Sequence, residues 1–113
     1  MNEKLVTFII VTWNNEHQIE ACLDTLKKFT TTYYDVIIVD NVSKDHTCDI
    51  ISEKYPDVQL IKSKENLGFA KGNNLALKKV STPYLCFLNP DVILTEDITE
   101  PALRILEKYR DIG

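Results

Sequence analysis

Glycine is scarce in this sequence of 113 residues, where only Gly68, Gly72 and Gly113 occur. No strand-like segment is therefore followed by the G-x-G-x-x-G turn of a dinucleotide site, and no G-x-x-x-x-G-K-[ST] loop is present to hold a triphosphate. The turn after the first apolar segment reads TWNNE, and its side chains would obstruct a pyrophosphate approaching the backbone. A dinucleotide-binding domain and a P-loop NTPase are both disfavoured.

The sequence also lacks a basic excess and any long apolar segment. It has 13 basic and 17 acidic residues, a formal net charge of −4, whereas a groove that follows nucleic-acid phosphates usually leaves a basic excess. No apolar run approaches the ~18 residues of a membrane span, and LVTFIIVTW reads better as a strand than as a signal peptide. We expect no nucleic-acid partner and a cytoplasmic location, or the cytoplasmic face of a membrane in the intact protein.

Cysteine is too rare and too irregularly spaced for a disulfide framework or a C-x-x-C pair. Cys22, Cys48 and Cys86 each fall within an apolar pattern, which favours reduced thiols in a core. Hydrophobic residues make up 44% and charged residues 27% of the chain, as in one ordinary globular domain.

Strand-like and helix-like patterns alternate along the chain. Continuous apolar runs predict buried strands, and apolar residues at helical spacing predict helices. The predicted strands cover residues 5–11, 35–40, 58–62 and 83–88. The predicted helices cover 16–29, the segment between a cap at Ser43 or Asp45 and Pro56, 69–80, and 98–109. This order predicts an α/β fold, a Rossmann-like parallel sheet of strand order 3-2-1-4 with helices on both faces.

Polar side chains follow each of the four predicted strands. They are Thr12, Asn14 and Asn15 after the first, Asp40 and Asn41 after the second, Glu65, Asn66 and Gly68 after the third, and Asn89 and Asp91 after the fourth. One such cluster would be ordinary loop composition. Four clusters at equivalent positions predict a ligand site at the carboxyl edge of the sheet, where the chain reverses direction between strands 1 and 4.

The types of these residues suit a phosphorylated ligand, although each has a structural alternative. Gly68 permits a positive φ before a helix whose N-terminus can hold an anion. Lys71 lies in the first turn, where the helix dipole disfavours a cation that faces no anion. Asp40 suits either a base or sugar hydroxyl or the cap of the next turn, and Thr12 and Asn14 suit either a ligand or strand-end turns.

Asp91 raises the question of a metal, because it follows a buried strand and stands two residues after Asn89. A carboxylate and an amide oxygen suit a hard divalent cation such as Mg²⁺ or Mn²⁺, which could neutralise a diphosphate. The alternative is an N-cap or a turn residue after Pro90.

Four segments, VTFIIVTWNN, DVIIVDNVSKDHT, ENLGFAKGNN and CFLNPDV, resemble in order and spacing the N-terminal nucleotide-sugar half of family-2 glycosyltransferases. The closest resemblance is to a bacterial rhamnosyltransferase-like branch. It implies a GT-A fold, hexosyl or deoxyhexosyl transfer from a UDP- or dTDP-sugar, Mn²⁺ or Mg²⁺ as cofactor, and a glycan or lipid-linked glycan as acceptor.

The resemblance also implies roles for residues. Those that would bind the nucleotide sugar are Thr12, Asn14, Asp40, Asn41, Asn66, Gly68, Lys71, Asn73 and Asn89. Asp40 would hold the base. Asn89 and Asp91 stand at the family's D-x-D, with Asp91 as the metal ligand and Asn89 in place of the first aspartate. His46 stands where glycine is usual, and would be slightly strained if that position needs a positive φ.

The family's second half, which supplies the acceptor site and an acidic catalytic base, has no counterpart in these 113 residues. We therefore expect residues 1–113 to be a truncated donor domain of an inverting enzyme, with the catalytic base outside this chain and no transfer by the chain alone. Two alternatives stay open. One is a nucleotidyltransferase of similar architecture, and the other is a non-catalytic α/β module, for example a homodimer formed through an exposed sheet edge.

Overall fold

A computed structural model describes residues 3–108 of the chain. The elements run in the order β1 (Val6–Thr12), α1 (Ile19–Phe29), β2 (Tyr34–Asp40), α2 (Thr47–Lys54), β3 (Gln59–Lys62), α3 (Gly68–Leu77), β4 (Tyr84–Leu88) and α4 (Thr99–Lys108). All strand pairs are parallel, and the strand order is β3-β2-β1-β4. The predicted fold class and strand order are confirmed.

Two apolar layers cover the two faces of the sheet. Phe8 and Ile10 of β1 point towards α1 and α2, while the alternate residues Ile9 and Val11 share a core cluster with Ala76 of α3. This follows from the period of two along a strand buried on both faces, since each face receives every second side chain. The predicted placement of helices on both faces is confirmed.

Helix α3 approaches β1 closely at Gly72. A Cβ atom at this position would lie 3.1 Å from both Cγ atoms of Val11, inside ordinary carbon–carbon contact distance. Glycine therefore allows the helix to pack this closely on the sheet, and a larger residue would require the Val11 side chain to shift.

Two helices are shorter than predicted, and backbone hydrogen bonds show why. Helix α1 begins at Ile19 because residues 15–18 form a turn in which the Asn15 carbonyl accepts from the N–H groups of Gln18 and Ile19. Helix α3 ends at Leu77 because Val80 donates to the Leu77 carbonyl in a tighter, three-residue step. Tyr109, predicted in the fourth helix, lies outside the described residues.

Asp97 fastens the start of α4 to the loop after α1. One carboxylate oxygen accepts from the backbone and hydroxyl of Thr31, and the other accepts from the backbone and hydroxyl of Thr99. Burial alone would raise the pKa of Asp97, but these hydrogen bonds lower that pKa to about 2.

Strands β3 and β4 form the edges of the sheet. Leu85 and Phe87 of β4 are 41% and 46% exposed, so α3 leaves this part of the sheet uncovered. None of the helices in residues 3–108 is long and apolar enough to cross a membrane.

Candidate functional site

The carboxyl ends of the four strands meet at one edge, and Thr12 and Asp40 lie side by side there as partners in the β1–β2 register. The Thr12 hydroxyl donates to Asp40 Oδ1 at 2.6 Å, and both residues are buried. Ser43 donates its hydroxyl to the same oxygen at 2.6 Å and its backbone N–H to Oδ2 at 2.8 Å. The Asp40 carboxylate thus holds together a strand end and the following turn.

Asn14 joins the loops after β1 and β2. Its backbone N–H donates to Ser43 Oγ at 2.8 Å, and its side-chain oxygen accepts from the Lys44 N–H at 2.8 Å. The residue has a φ of +53°, in the left-handed region that asparagine tolerates better than most residues. The conformation of each loop therefore depends on the other.

The predicted cap of α2 at Ser43 or Asp45 is wrong, because the N-cap is His46 and has no side-chain cap hydrogen bond, although Asp45 holds the residues around the start of the helix. Asp45 accepts from the Thr47 N–H at 3.0 Å and from the Glu16 N–H at 3.1 Å. Burial alone would raise the pKa of Asp45, but hydrogen bonds from Thr47 and Glu16 hold that pKa below its ordinary value. Ser43 is instead engaged with Asp40.

Asn41 connects the end of β2 to the segment that enters α3. Its side-chain oxygen accepts from the Leu67 N–H at 3.2 Å, and its side-chain nitrogen donates to the Gly68 carbonyl at 3.1 Å. Asn66 accepts from the Gly68 N–H at 2.9 Å. Gly68 has a φ of +75°, which confirms the predicted need for glycine at this turn.

Two predicted site residues on α3 lie in contrasting surroundings. Lys71 is exposed in the first turn. Asn73 is 8% exposed, and its side-chain oxygen has no hydrogen-bond partner among the described residues. A buried amide oxygen without a partner is costly, so Asn73 offers an acceptor that a ligand or water could satisfy.

The turn after β4 presents Asn89 and Asp91, which are both exposed and whose side chains make no hydrogen bond or ion pair within residues 3–108. The turn is closed by the Val92 N–H donating to the Asn89 carbonyl at 3.1 Å. The Cys22 thiol of α1 also donates to that carbonyl, at 3.8 Å. Burial first and the nearby Asp91 carboxylate second raise the pKa of Cys22 to about 11, so the thiol stays protonated and can donate at neutral pH.

Oxygen donors for a cation are few at this edge. Within the described part of the chain, no group of three histidine, cysteine, aspartate or glutamate side chains is placed to hold a metal ion. Asn89 and Asp91 supply one amide and one carboxylate oxygen. This donor set fits an ion such as Mg²⁺ or Mn²⁺ only if water and ligand phosphates complete the coordination.

Val42 has a φ of +58°, an unfavourable conformation for a β-branched residue. It stands between Asn41 and Ser43, whose side chains are both bonded. His46, for which the sequence raised the question of strain, has a φ of −91° and is not strained in this way. Backbone strain of this kind lies at Val42, directly beside the predicted nucleotide site.

Cys48 of α2 lies next to Asp40. Burial first and the Asp40 carboxylate second raise the pKa of Cys48 to about 12. The thiol is therefore protonated at neutral pH and is not a nucleophile.

The structure thus gathers Thr12, Asn14, Asp40 and Asn41 into one hydrogen-bonded group, with Asn14 joined to it through Ser43. Asn41 extends that group to Gly68, which is bonded in turn to Asn66. Asn89 and Asp91 follow the neighbouring strand but share no hydrogen bond with the group within the described residues. The sequence analysis did not include Ser43 in this hydrogen-bonded group. The spacing that could have indicated it is its position three residues after an aspartate at a strand end, which is typical of side-chain-capped turns.

Comparison with known proteins identifies related enzymes. The family model described as glycosyl transferase family 2 matches residues 7–113. The chain is 34% identical over 111 residues to a teichoic acid poly(glycerol phosphate) polymerase of Staphylococcus epidermidis, covering 94% of this chain and 15% of that protein.

Solved structures show the same architecture. A mannosyltransferase of Pyrobaculum calidifontis, in complex with GDP-mannose and Mn²⁺, matches with a TM-score of 0.79 and 27% identity over 89% of this chain and 32% of that one. S. aureus TarS 1–349 in complex with UDP matches with a TM-score of 0.83 and 24% identity, over 94% of this chain and 33% of that one. The chain therefore spans at most a third of these proteins.

Proposed function

The chain belongs to glycosyltransferase family 2, and from this premise we propose that residues 1–113 are the donor-binding domain of a glycosyltransferase that uses a nucleoside-diphosphate sugar. The observation that carries the proposal is the hydrogen-bonded group at the carboxyl edge, where Asn41 and Asp40 join the loops after three strands. In support, the similar structures of TarS and of the mannosyltransferase were solved with UDP and with GDP-mannose.

The nucleotide would lie against the loops after β1 and β2. A carboxylate has about four acceptor positions, and Asp40 accepts three hydrogen bonds within the protein, from Thr12 and Ser43. The fourth position, which the Cys48 thiol also approaches, would accept an N–H of the base. Thr12 and Ser43 would then hold Asp40 in place rather than bind the ligand themselves.

The diphosphate would lie near the start of α3. Gly68 and the residues after it present the N-terminal end of a ten-residue helix, and the exposed Lys71 adds a positive charge. Asn73 offers its unpartnered oxygen to a sugar or ribose hydroxyl. These groups supply the positive field that a chain of net charge −4 does not supply overall.

Asn89 and Asp91 would hold Mn²⁺ or Mg²⁺ together with the diphosphate. When bound, such an ion neutralises the charge that builds on the departing nucleoside diphosphate. Because only two protein oxygens are offered, we expect the ion to bind with the nucleotide and not before it.

We further propose inverting transfer of a hexosyl or deoxyhexosyl group, as in the rhamnosyltransferase-like branch, from a UDP- or dTDP-sugar to a glycan or lipid-linked glycan. An acceptor hydroxyl would attack the anomeric carbon in line with departure of the diphosphate, after losing its proton to an acidic base outside this chain. The chain alone would bind nucleotide and transfer no sugar.

The first experiment is calorimetric titration of the chain with UDP, dTDP and GDP, each with and without Mn²⁺. We expect one nucleotide to bind only with Mn²⁺, and Asp91→Ala to abolish that dependence. Glu53→Ala, which removes an exposed carboxylate from α2, is the matched control and should bind as wild type. Binding that ignores both Mn²⁺ and the Asp91 substitution would contradict the metal assignment.

A second candidate is a non-catalytic binding module, for example a homodimer formed through the edge of β4. One observation favours it, since Asp40 is only 2% exposed and is already bonded within the protein. Absence of binding by all three nucleotides, together with a dimer mass in solution, would favour this candidate over the donor domain.

A further inference from the structure

A second surface with the chemistry of a binding site lies at the amino edge of the sheet, opposite the carboxyl edge. A cleft of about 630 Å³ is bordered there by α1, the end of α2, the start of β2 and the residues that precede β3. Small-molecule sites typically measure about 300 to 1,000 Å³. Its apolar lining comes from Leu23, Leu26, Val36 and Val58. None of the predicted donor-site residues lines this cleft.

Three tyrosines line the cleft, and each is positioned differently. Tyr33 is 50% exposed and offers its ring to solvent. Tyr34 packs edge-on against Phe8, with ring centroids 5.6 Å apart. The Tyr55 hydroxyl donates to Asp24 at 2.7 Å, which fixes the direction of that ring. Fixed aromatic rings supply contact area at a low cost in conformational entropy.

Charged groups of both signs stand on the rim of the cleft. Lys4 pairs with Asp35 at 2.6 Å. Lys27 makes no hydrogen bond or ion pair within the described residues. Burial first and the Asp57 carboxylate second raise the pKa of Tyr34, which indicates that Asp57 lies near that tyrosine. The rim therefore offers both hydrogen-bond donors and acceptors.

From this lining we propose that the cleft binds a neutral saccharide. A pyranose ring has an apolar C–H face that suits the exposed ring of Tyr33, and its hydroxyl groups both donate and accept hydrogen bonds. Lys27 would donate to one hydroxyl and Asp57 would accept from another. Lys4 and Lys54 are already paired with Asp35 and Glu20, so the cleft has no excess of unpaired charge of one sign and suits a neutral ligand better than an ion. This inference does not depend on the donor site.

The test is a titration of the ¹⁵N-labelled chain followed by its amide spectrum, with maltotetraose and cellotetraose as neutral probes and inorganic phosphate as the anionic comparison. We expect one tetrasaccharide to shift the amides of residues 33–35 and 54–58 in a saturable way and to leave residues 12–15 and 40–43 unchanged. Tyr33→Ala should weaken binding about fivefold or more, while Tyr33→Phe, which keeps the ring, should bind as wild type.

A pair of adjacent lysines gives a control that does not alter an aromatic residue. Lys27 lines the cleft, whereas Lys28 lies outside it, 5.2 Å from the ring centre of Phe29. Lys27→Ala should weaken saccharide binding and Lys28→Ala should not. The proposal is overturned if neither tetrasaccharide shifts the cleft amides at millimolar concentration, if shifts appear only at the carboxyl edge, or if phosphate alone binds the cleft. Equal effects of the two lysine variants would also overturn it.

Discussion

The hydroxyl of Thr12 and the carboxylate of Asp40 are joined by a 2.6 Å hydrogen bond across the ends of the two central strands. Both residues are almost entirely buried, since Thr12 is 0% and Asp40 2% exposed. A carboxylate so buried is tolerated because hydrogen-bond donors surround it. Asp40, which the sequence indicates as a ligand contact, therefore also stabilises the fold.

Replacing this carboxylate should cost stability as well as ligand affinity. Asp40→Asn keeps the shape but turns one acceptor oxygen into a donor, so that a bond from Ser43 or Thr12 is lost inside the protein. We expect the free energy of unfolding in urea to fall by about 1 to 3 kcal/mol. Asp57→Asn, at an exposed turn, is the control and should change it by less than about 0.5 kcal/mol. Equal stability of the two variants would show that Asp40 has no structural role.

Gly72→Ala should destabilise the chain although alanine favours helices. The new methyl group would lie 3.1 Å from Val11, and overpacking of this kind costs about 1 to 3 kcal/mol against a gain of about 1 kcal/mol in helix propensity. In a Val11→Ala background the clash is removed, so the same change should become neutral or stabilising. Additive effects of the two substitutions, measured by urea unfolding, would contradict the close contact.

Val42→Gly should stabilise the chain. A left-handed conformation costs an L-residue about 1 to 2 kcal/mol, and the greater flexibility of unfolded glycine offsets about 0.5 to 1 kcal/mol of that gain. We expect a net increase of about 0.5 to 1 kcal/mol in the free energy of unfolding. Val42→Ala keeps the Cβ atom and should not produce the gain. A loss of stability in Val42→Gly would show that the valine side chain contributes more packing than its 38% exposure indicates.

Asp97 should make stability fall at acid pH. Its pKa is lowered from 3.8 to about 2 in the folded chain, so it stabilises the fold above its unfolded pKa and loses that contribution as the pH falls through about 2. The stability difference between wild type and Asp97→Asn should therefore be constant above about pH 5 and shrink between pH 4 and 2. A difference that stays the same between about pH 5 and pH 2 would contradict the stabilising role assigned to the Asp97 carboxylate.

The fold was largely predictable from the sequence because apolar periodicity carries most of the information. The continuous run in β1 and the helical spacing in α1 depend only on which residues are apolar, and both elements were found. The start of α1 was three residues too early, because Asn15 and Glu16 are held in a turn by Thr47 and Asp45 from a distant segment. A contact with a segment so distant in the sequence leaves no pattern in the residues around the start of α1.

The candidate site was predictable in position but not in detail. Parallel topology brings the strand ends together, so a shared edge follows from strand order alone. Which polar group serves the ligand and which serves the fold depends on hydrogen bonds between loops. Ser43 is one of the two residues predicted to cap α2, yet its hydroxyl bonds to Asp40 and Asn14. The positive φ at Val42 could not be predicted from the sequence, because glycine and asparagine are the residue types that usually adopt this conformation.

The position of β1 has a consequence for biosynthesis. It is made before the other three strands of the sheet and lies in the interior, yet one of its two partners, β4, is the last of the four strands in sequence. Until then a nearly uninterrupted apolar strand has one unpaired edge. Pairing between segments so distant in sequence is slow, and transiently exposed edges favour aggregation. We expect the yield of folded chain to depend on the speed of translation and on chaperones that shield β1.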